Sequence, residues 1–246
     1  MKKILRFQLK DLSYSYLVYA LVMMLLAGIP VFISFAYDGA SININGNGFS
    51  GGIFSLVVGI AIYKEHFQMA IQNSISRKCY FQSVLCVMVI TGCVCTLVDL
   101  LSFFLSLRLG GSLSESSSVN AVDVWRMCYP GFFERAGGAG AAVSFLLSVF
   151  VAFLLFAIGT MIAGGYCRMA KRYRTIYCVA LPVFSFGVLP VIGAYFHKQL
   201  FKLADSFMDI MGMTSDNPFL GLLVMAVTGL ILLFLSYRLL RRTELN

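Results

Sequence analysis

The stretch YFQSVLCVMVITGCVCTLVDLLSFFLSL, residues Tyr80–Leu107, has a single ionisable acid, Asp99, and no basic residue among its 28 residues. An α-helix rises 1.5 Å per residue, so about 20 apolar residues cross the hydrocarbon core of a bilayer. This stretch is longer than that and is interrupted by only one charge. It therefore predicts a transmembrane helix.

Five further apolar stretches surround this one in a chain that is 59% hydrophobic and only 12% charged. The six predicted spans are Leu12–Ala36, Phe49–Ile62, Tyr80–Leu107, Ala139–Ala163, Thr175–Phe196 and Phe219–Leu240. The second is short, so it must either begin in the Gly/Asn-rich run before it or continue past Tyr63. No segment between the spans is large enough to fold as a soluble domain. The sequence therefore predicts an all-α membrane protein in which residues 1–246 form one domain with six transmembrane helices.

The basic residues between the spans predict the orientation. Of the 19 Lys and Arg residues, 14 fall within four segments, residues 2–10, 64–78, 168–174 and 238–242. Loops rich in Lys and Arg stay in the cytoplasm, so both termini are predicted to be cytoplasmic. The net charge of +8 is explained by this bias and by attraction to anionic lipid, and it is no evidence for nucleic-acid binding.

Residues 1–11 place apolar side chains near helical spacing between basic ones. Lys3, Arg6, Phe7 and Lys10 belong to this segment, which predicts an amphipathic helix at the cytoplasmic interface. The alternative is that these residues only flank the first span with positive charge.

Residues 63–78, YKEHFQMAIQNSISRK, form the most informative segment between two spans. Tyr63, Phe67 and Ile71 follow i, i+4, i+8 spacing, and Ala70 lies on the same side. This predicts a short cytoplasmic helix with one apolar face, a shape that fits a groove on a soluble partner. The alternative is an ordinary connector between spans.

Two segments on the predicted outer side are also distinctive. Residues 197–213 have apolar and charged side chains at a helical spacing that places them on opposite sides of a helix. This predicts an amphipathic helix lying in the outer leaflet. The loop Arg108–Gly138 contains the single tryptophan, Trp125, among other aromatic residues. These aromatics suit an interfacial belt, and a substrate-exit surface is the alternative.

Catalytic motifs are absent from the sequence. It has no G-x-x-x-x-G-K-[ST] phosphate-binding loop and no H-E-x-x-H zinc motif. Its two histidines, His66 and His197, are predicted on opposite faces of the membrane, where they could not share a metal. The chain is therefore predicted not to be an enzyme and to hold no metal or cofactor of its own.

Asp99 is the one acid within a predicted span. Because a carboxylate in the membrane is costly, such a residue is a functional candidate. We weigh two roles for it. It could pair with Arg108 or Arg135 near the outer surface, or it could lie on a substrate or proton path.

Taken together, the N-terminal amphipathic segment, the inner I-Q-N-S-I-S-R-K (Ile71–Lys78), the six spans and the outer amphipathic segment resemble a known architecture. It is that of the membrane-spanning permease subunit of type-2 ABC transporters. Within that class the chain resembles small permeases of Gram-positive bacteria that export peptides or confer immunity to them, such as lantibiotic, bacitracin and phenol-soluble modulin systems.

The resemblance implies a division of labour. A separate cytoplasmic ABC ATPase would bind ATP and Mg²⁺, and a second copy of the permease or a related permease would complete the complex in the plasma membrane, with peptide as cargo. The segment 1–11 would be the interface helix, and 63–78 would be the coupling helix that docks on the ATPase. The implied coupling residues are Tyr63, Glu65, Phe67, Ala70, Ile71, Ser74 and Arg77. The rival interpretations are a gradient-driven secondary transporter and a membrane sensor or assembly protein that transports nothing.

Overall fold

The structure is a computed structural model that describes residues 2–36, 42–47, 49–112, 119–169, 190 and 196–241. Its helices are α1 (Lys2–Ala36), α2 (Ser50–Ala61), α3 (Phe67–Gln72), α4 (Arg77–Ser112), α5 (Val124–Cys128), α6 (Pro130–Ala136), α7 (Ala139–Arg168), α8 (His197–Ile210) and α9 (Pro218–Arg241). A π-helical turn, Ile62–His66, joins α2 to α3, and two short strands, β1 (Ile42–Asn47) and β2 (Val119–Asp123), pair with each other. The prediction of a helical protein is confirmed.

Four helical stretches are long and apolar enough to cross a membrane: Lys3–Ile29, Arg77–Ser106, Ala139–Cys167 and Pro218–Leu240. They correspond to the first, third, fourth and sixth predicted spans. This arrangement is compatible with a multi-pass membrane protein. The fifth predicted span, Thr175–Phe196, lies almost entirely outside the described residues, so the count of six stays a prediction.

The second predicted span is short as an α-helix, since α2 has only 12 residues. Its helical backbone does not end there, however, but continues through the π turn into α3. The 23 residues from Ser50 to Gln72 give a length of about 34 Å at 1.5 Å per residue. Of the two extensions that the sequence allows, the structure has the one past Tyr63.

Helix α7 occupies the middle of the bundle, where it packs along α2, α4 and α9, while α1 packs along α4. Small residues allow the closest of these approaches. A Cβ atom added to Gly59 of α2 would lie 2.5 Å from the carbonyl oxygen of Phe156 on α7, and one added to Gly159 would meet the carbonyl oxygen of Leu56. Glycines on both helices therefore let the two backbones touch.

The buried side chains form two main clusters. One lies at the end of the bundle that carries Lys3 and Arg77, which we term the basic end, and it includes Tyr63, Phe67 and Tyr80. The other lies at the opposite end and is built around Trp125, Tyr129, Phe133, Leu147, Val151, Met211 and Met225. Each end of the bundle thus has its own packed core.

The strands β1 and β2 pair in parallel, with a register that runs from Ile42 opposite Val119 to Asn47 opposite Asp123. Each strand leads within a few residues into a helix, β1 into α2 and β2 into α5. The ladder therefore places Asn47, which lies shortly before α2, opposite Asp123. This strand pair was not predicted from the sequence.

The two predicted amphipathic segments are both helical. Residues 2–11 are the first part of α1 and run into the first span without a break. Residues 197–210 form α8, which ends before Gly212, where a positive φ of 73° favours glycine. The larger apolar side chains of α8 are exposed: Phe201, Leu203, Phe207, Met208 and Ile210. Whether these segments lie in a lipid interface remains a prediction.

Candidate functional sites at the two ends of the bundle

A wide groove lies at the basic end, between the first turns of α1 and the segment from His66 to Ile75. Its volume is about 720 Å³. The lining comprises Lys3, Ile4, Phe7, His66, Met69, Ala70, Asn73 and Ile75. We call this the basic-end groove. It brings together the predicted interface segment and the segment that the resemblance implies docks on the ATPase.

His66 holds the two walls of the groove together. Its Nε2 lies 2.9 Å from Oδ2 of Asp11 on α1, and its ring meets Phe7 in an edge arrangement with centroids 5.5 Å apart. The His66 side chain is 5% exposed, whereas Asp11 is 54% exposed. The contact therefore links α1 to the π turn at the edge of the core, with the carboxylate still in contact with solvent.

Some polar atoms near this contact have no partner within the described part of the chain. They are Nδ1 of His66 and both amide atoms of Gln8, whose side chain is fully buried. A buried polar group without a hydrogen bond costs roughly 1–3 kcal/mol, so native proteins usually satisfy such groups. His66 lines the groove and Gln8 does not, so only the imidazole places an unpartnered polar atom in a groove-lining residue.

The predicted coupling residues do not share one exposed face. Tyr63, Phe67 and Ala70 are 2%, 1% and 3% exposed, and they pack into the core at the basic end. Ser74 is exposed and has a φ of 57°, a left-handed conformation that turns the chain between α3 and α4. Arg77 begins α4.

The side chains of Glu65 and Ile71 lie outside what the structure describes. Among the side chains of this segment that the structure describes, the exposed ones are Met69, Gln72, Asn73, Ser74, Ser76 and Lys78.

The predicted interface residues divide between two surfaces. Lys3 and Phe7 line the basic-end groove. Arg6 and Lys10 line a separate, shallow depression on α1. Only the first pair therefore faces the segment that follows the π turn.

Asp99 is the centre of the other site. Its Oδ1 accepts hydrogen bonds from the Tyr19 hydroxyl at 2.5 Å and from the Ser50 hydroxyl at 2.8 Å, and its Oδ2 accepts one from the Gly51 amide at 2.9 Å. These bonds join α1, α2 and α4. The predicted pairing with Arg108 or Arg135 is wrong, because Arg108 is exposed and Arg135 bonds to the Gly131 carbonyl.

The position of Asp99 follows from the sequence of the first turn of α2. The first amide groups of a helix have no partner inside the helix and carry its positive dipole end, so they bind a carboxylate well. Gly51 allows the approach, because a Cβ atom there would lie 2.9 Å from Oδ2 of Asp99. Ser-Gly-Gly at residues 50–52 was the available signal in the sequence.

A small cavity of about 110 Å³ adjoins Asp99 between α4, α7 and the start of α5. We call it the Asp99 cavity. Asp123, the last residue of β2, also lines it, and Ser144 of α7 donates a hydrogen bond to this second carboxylate. Burial raises the pKa of Asp123, while the hydrogen bond from Ser144 and the charge of Arg126 oppose that rise. Asp123 was not among the residues predicted to be functional.

A packed cap lies over this end of the bundle. The Trp125 Nε1 donates to the Ser148 hydroxyl at 2.7 Å, and the Tyr129 hydroxyl donates to the Met211 carbonyl at 2.8 Å. Burial raises the pKa of Tyr129 to about 12. Trp125, Tyr129 and Phe133 are therefore interior residues that join α5 and α6 to the rest of the chain. The predicted lipid-facing aromatic belt does not include them.

No group of three or more His, Cys, Asp or Glu side chains in the described residues could hold a metal ion. No family model, no curated protein and no solved structure matches this chain.

Proposed function

We propose that this chain is the membrane subunit of an ATP-driven exporter, with six spans, both termini in the cytoplasm and a type-2 ABC permease fold. A separate cytoplasmic ATPase would bind ATP and Mg²⁺, because the sequence has no phosphate-binding loop. A second permease, either another copy or a related chain, completes the complex. Amphipathic or antimicrobial peptides are the proposed cargo.

The basic-end groove carries this proposal. Its walls come from the segment 1–11, the implied interface helix, and from the segment 63–78, which the resemblance assigns to docking on the ATPase. Lys3 and Phe7 on one wall face Met69 and Asn73 on the other. A partner surface that entered this groove would contact both segments at once. A movement of that partner would therefore be transmitted to α1 and α2 together.

The buried and exposed residues have different roles in this proposal. Tyr63 and Phe67 fix the segment to the bundle, since both are almost fully buried. Met69, at 44% exposure, is the apolar side chain of the segment 63–78 that is available to a partner in the groove. Movement received at α3 then passes along α2, which is continuous with it through the π turn.

Co-purification from the source cells tests the partner. The intact chain, extracted in mild detergent, is expected to carry a P-loop ATPase, and Met69→Glu is expected to reduce its recovery at least several-fold. Met127→Glu is the matched control, because Met127 is a similarly exposed methionine at the opposite end. Loss of the ATPase with both variants, or with neither, would reject the groove as the docking site.

Transport in proteoliposomes separates the rival functions. The proposal requires peptide movement that depends on ATP and on the co-purified ATPase. A gradient-driven transporter would move cargo with a pH or sodium gradient and no ATP. A sensor or assembly protein would move no cargo under either condition.

A further inference from the structure

The Asp99 cavity has an unusual lining for a space between membrane helices. Four phenylalanines contribute to it, Phe103 and Phe104 of α4, Phe133 of α6 and Phe145 of α7. Two carboxylates, Asp99 and Asp123, contribute as well. Its volume of about 110 Å³ is several times the roughly 30 Å³ that one water molecule occupies in the liquid. The space therefore accepts a small group larger than one water.

The charges around the cavity do not cancel. Arg126 lines it and offsets Asp123. Asp99 is 3% exposed, and its three hydrogen-bond donors, Tyr19, Ser50 and the Gly51 amide, are all uncharged. When both carboxylates are ionised, these two acids and one base thus have a net charge of −1, and one negative charge has no positive partner. A buried carboxylate without a cation is costly, so it either takes up a proton or binds a positively charged occupant, and the ionised form favours such an occupant.

The lining also indicates which cation fits. The lining has only two carboxylates, and the described residues hold no group of three or more His, Cys, Asp or Glu side chains that could bind a metal ion. Phenylalanine faces instead attract organic cations through the ring quadrupole, by about 0.5–2 kcal/mol per contact. Carboxylates and hydroxyls such as Thr96 and Ser148 accept hydrogen bonds from N–H donors. Aromatic rings and acids together suit an ammonium group with a short alkyl chain.

We propose that the Asp99 cavity binds an alkylammonium group, with Asp99 and Asp123 as its anionic partners and the surrounding phenylalanines as its walls. This deepens the proposed function, on which it rests for the idea that the ligand is cargo: an exported peptide would present a lysine side chain or its N-terminal amine here. Binding of the amine itself requires no ATPase.

The single tryptophan offers a direct measurement. Trp125 is 4% exposed, and its Nε1 donates to Ser148, which lines the cavity. A ligand that competes for the Ser148 hydroxyl changes the surroundings of the indole. The chain has no other tryptophan, so in nanodiscs made with a tryptophan-free scaffold protein the intrinsic fluorescence reports on this place alone.

The experiment uses the full chain in nanodiscs of phosphatidylglycerol, a lipid without an amine. Butylammonium is titrated against Trp125 emission, with butanol as the uncharged ligand of matched size. The expected result is a saturable change at a butylammonium concentration at least tenfold below that needed for butanol. Equal responses to the two ligands, or no response to butylammonium, would overturn the proposal, and this comparison depends on no variant.

Variants then locate the site. Asp123→Asn retains an acceptor for Ser144 but removes the charge, and it is expected to weaken butylammonium binding at least tenfold. Asp99→Asn is expected to do the same where it folds, as judged by an unchanged circular dichroism spectrum. Asp209→Asn is the control, because Asp209 is exposed on α8 and does not line the cavity. Unchanged binding in Asp123→Asn would place the amine elsewhere.

Two sources of the amine remain to be distinguished. N-acetyl-lysine amide is compared with N-acetyl-norleucine amide, and in a second arm phosphatidylethanolamine replaces part of the nanodisc lipid. A lysine-selective response supports peptide cargo. Saturation by phosphatidylethanolamine alone assigns the site to a lipid headgroup. If amine binding holds while no ATPase co-purifies, only the proposed function fails. If the ATPase co-purifies while amines do not bind, only this inference fails.

Discussion

The contact between α2 and α7 gives the sharpest prediction about the bundle. An added Cβ atom on Gly59 would lie 2.5 Å from the Phe156 carbonyl oxygen, about 0.9 Å closer than the 3.4 Å at which ordinary contact begins. The obstacle is backbone inside a helix, so it cannot rotate away and the two helices must separate. Overpacking of this kind costs about 1–3 kcal/mol, and we expect Gly59→Ala to lower the unfolding free energy by that amount. Gly159→Ala, which meets the Leu56 carbonyl, is expected to cost at least as much.

Reversible unfolding by SDS in mixed micelles, followed by circular dichroism, measures this cost. Two controls from the same chain calibrate it. In Gly229→Ala the new Cβ atom meets nothing within 4 Å, and the variant is expected to be neutral or slightly stabilised. In Gly52→Ala the obstacle is the end of the Leu155 side chain, which can move, so an intermediate cost is expected. If Gly59→Ala unfolds like Gly229→Ala, the close packing of α2 on α7 is incorrect.

The cap at the opposite end, the Cys128 thiol and the His66 contact each give a further prediction. Tyr129→Phe removes the hydrogen bond to the Met211 carbonyl and is expected to cost about 1 kcal/mol in the same SDS titration; a change within error would contradict that bond. Burial raises the pKa of Cys128, and the thiolate is the reactive form of the side chain. The alkylation rate of Cys128 is therefore expected to keep rising above pH 9 rather than to level off there. The rate is measured as the difference between the unchanged chain and Cys128→Ser. His66→Gln, which can still donate to Asp11, is expected to be more stable than His66→Leu by about 1 kcal/mol, and the reverse order would exclude a role for this contact.

The spans were predictable because their signal is local. For an apolar run such as Tyr80–Leu107, no structure other than a membrane-spanning helix removes so many side chains from water. The residues of this run all lie within α4. The length of α2 was harder to predict, because its continuation past Ala61 passes through residues polar enough to leave the bilayer. Hydropathy alone cannot say whether such residues continue a helix or end it.

The exposed face of the segment 63–78 could not be derived from periodicity. The spacing of Tyr63 and Phe67 correctly indicates one apolar face, but it does not say what covers that face. In the structure the chain's own core covers both side chains. A substitution such as Phe67→Asp would therefore disrupt folding before it tested a partner, and for this reason Met69 is the better probe.

The partners of Asp99 were missed for a related reason. An acid in a span suggests a basic partner, and Arg108 and Arg135, near the predicted outer surface, were the candidates. The structure supplies neutral donors instead, from Tyr19 and from the first turn of α2. A helix N-terminus acts as a partial positive charge that no residue count reveals. Only the three-dimensional meeting of α1, α2 and α4 makes it visible.

One continuous stretch of helix connects the two candidate sites. Ser50 at its first turn bonds to Asp99, and His66 near its other end contacts α1 beside the basic-end groove. A straight α-helix transmits displacement with little loss, whereas a π turn, which is wider and has poorer hydrogen-bond geometry, is where such a helix bends most easily. The Tyr80 hydroxyl donates to the Ile62 carbonyl at 2.9 Å, so this bend is tied to α4 at its first residue. In the proposed exporter, movement of the groove walls is therefore transmitted to Asp99 only if α2 moves as a rigid body. The π turn and the contact at Gly59 determine how far it can do so.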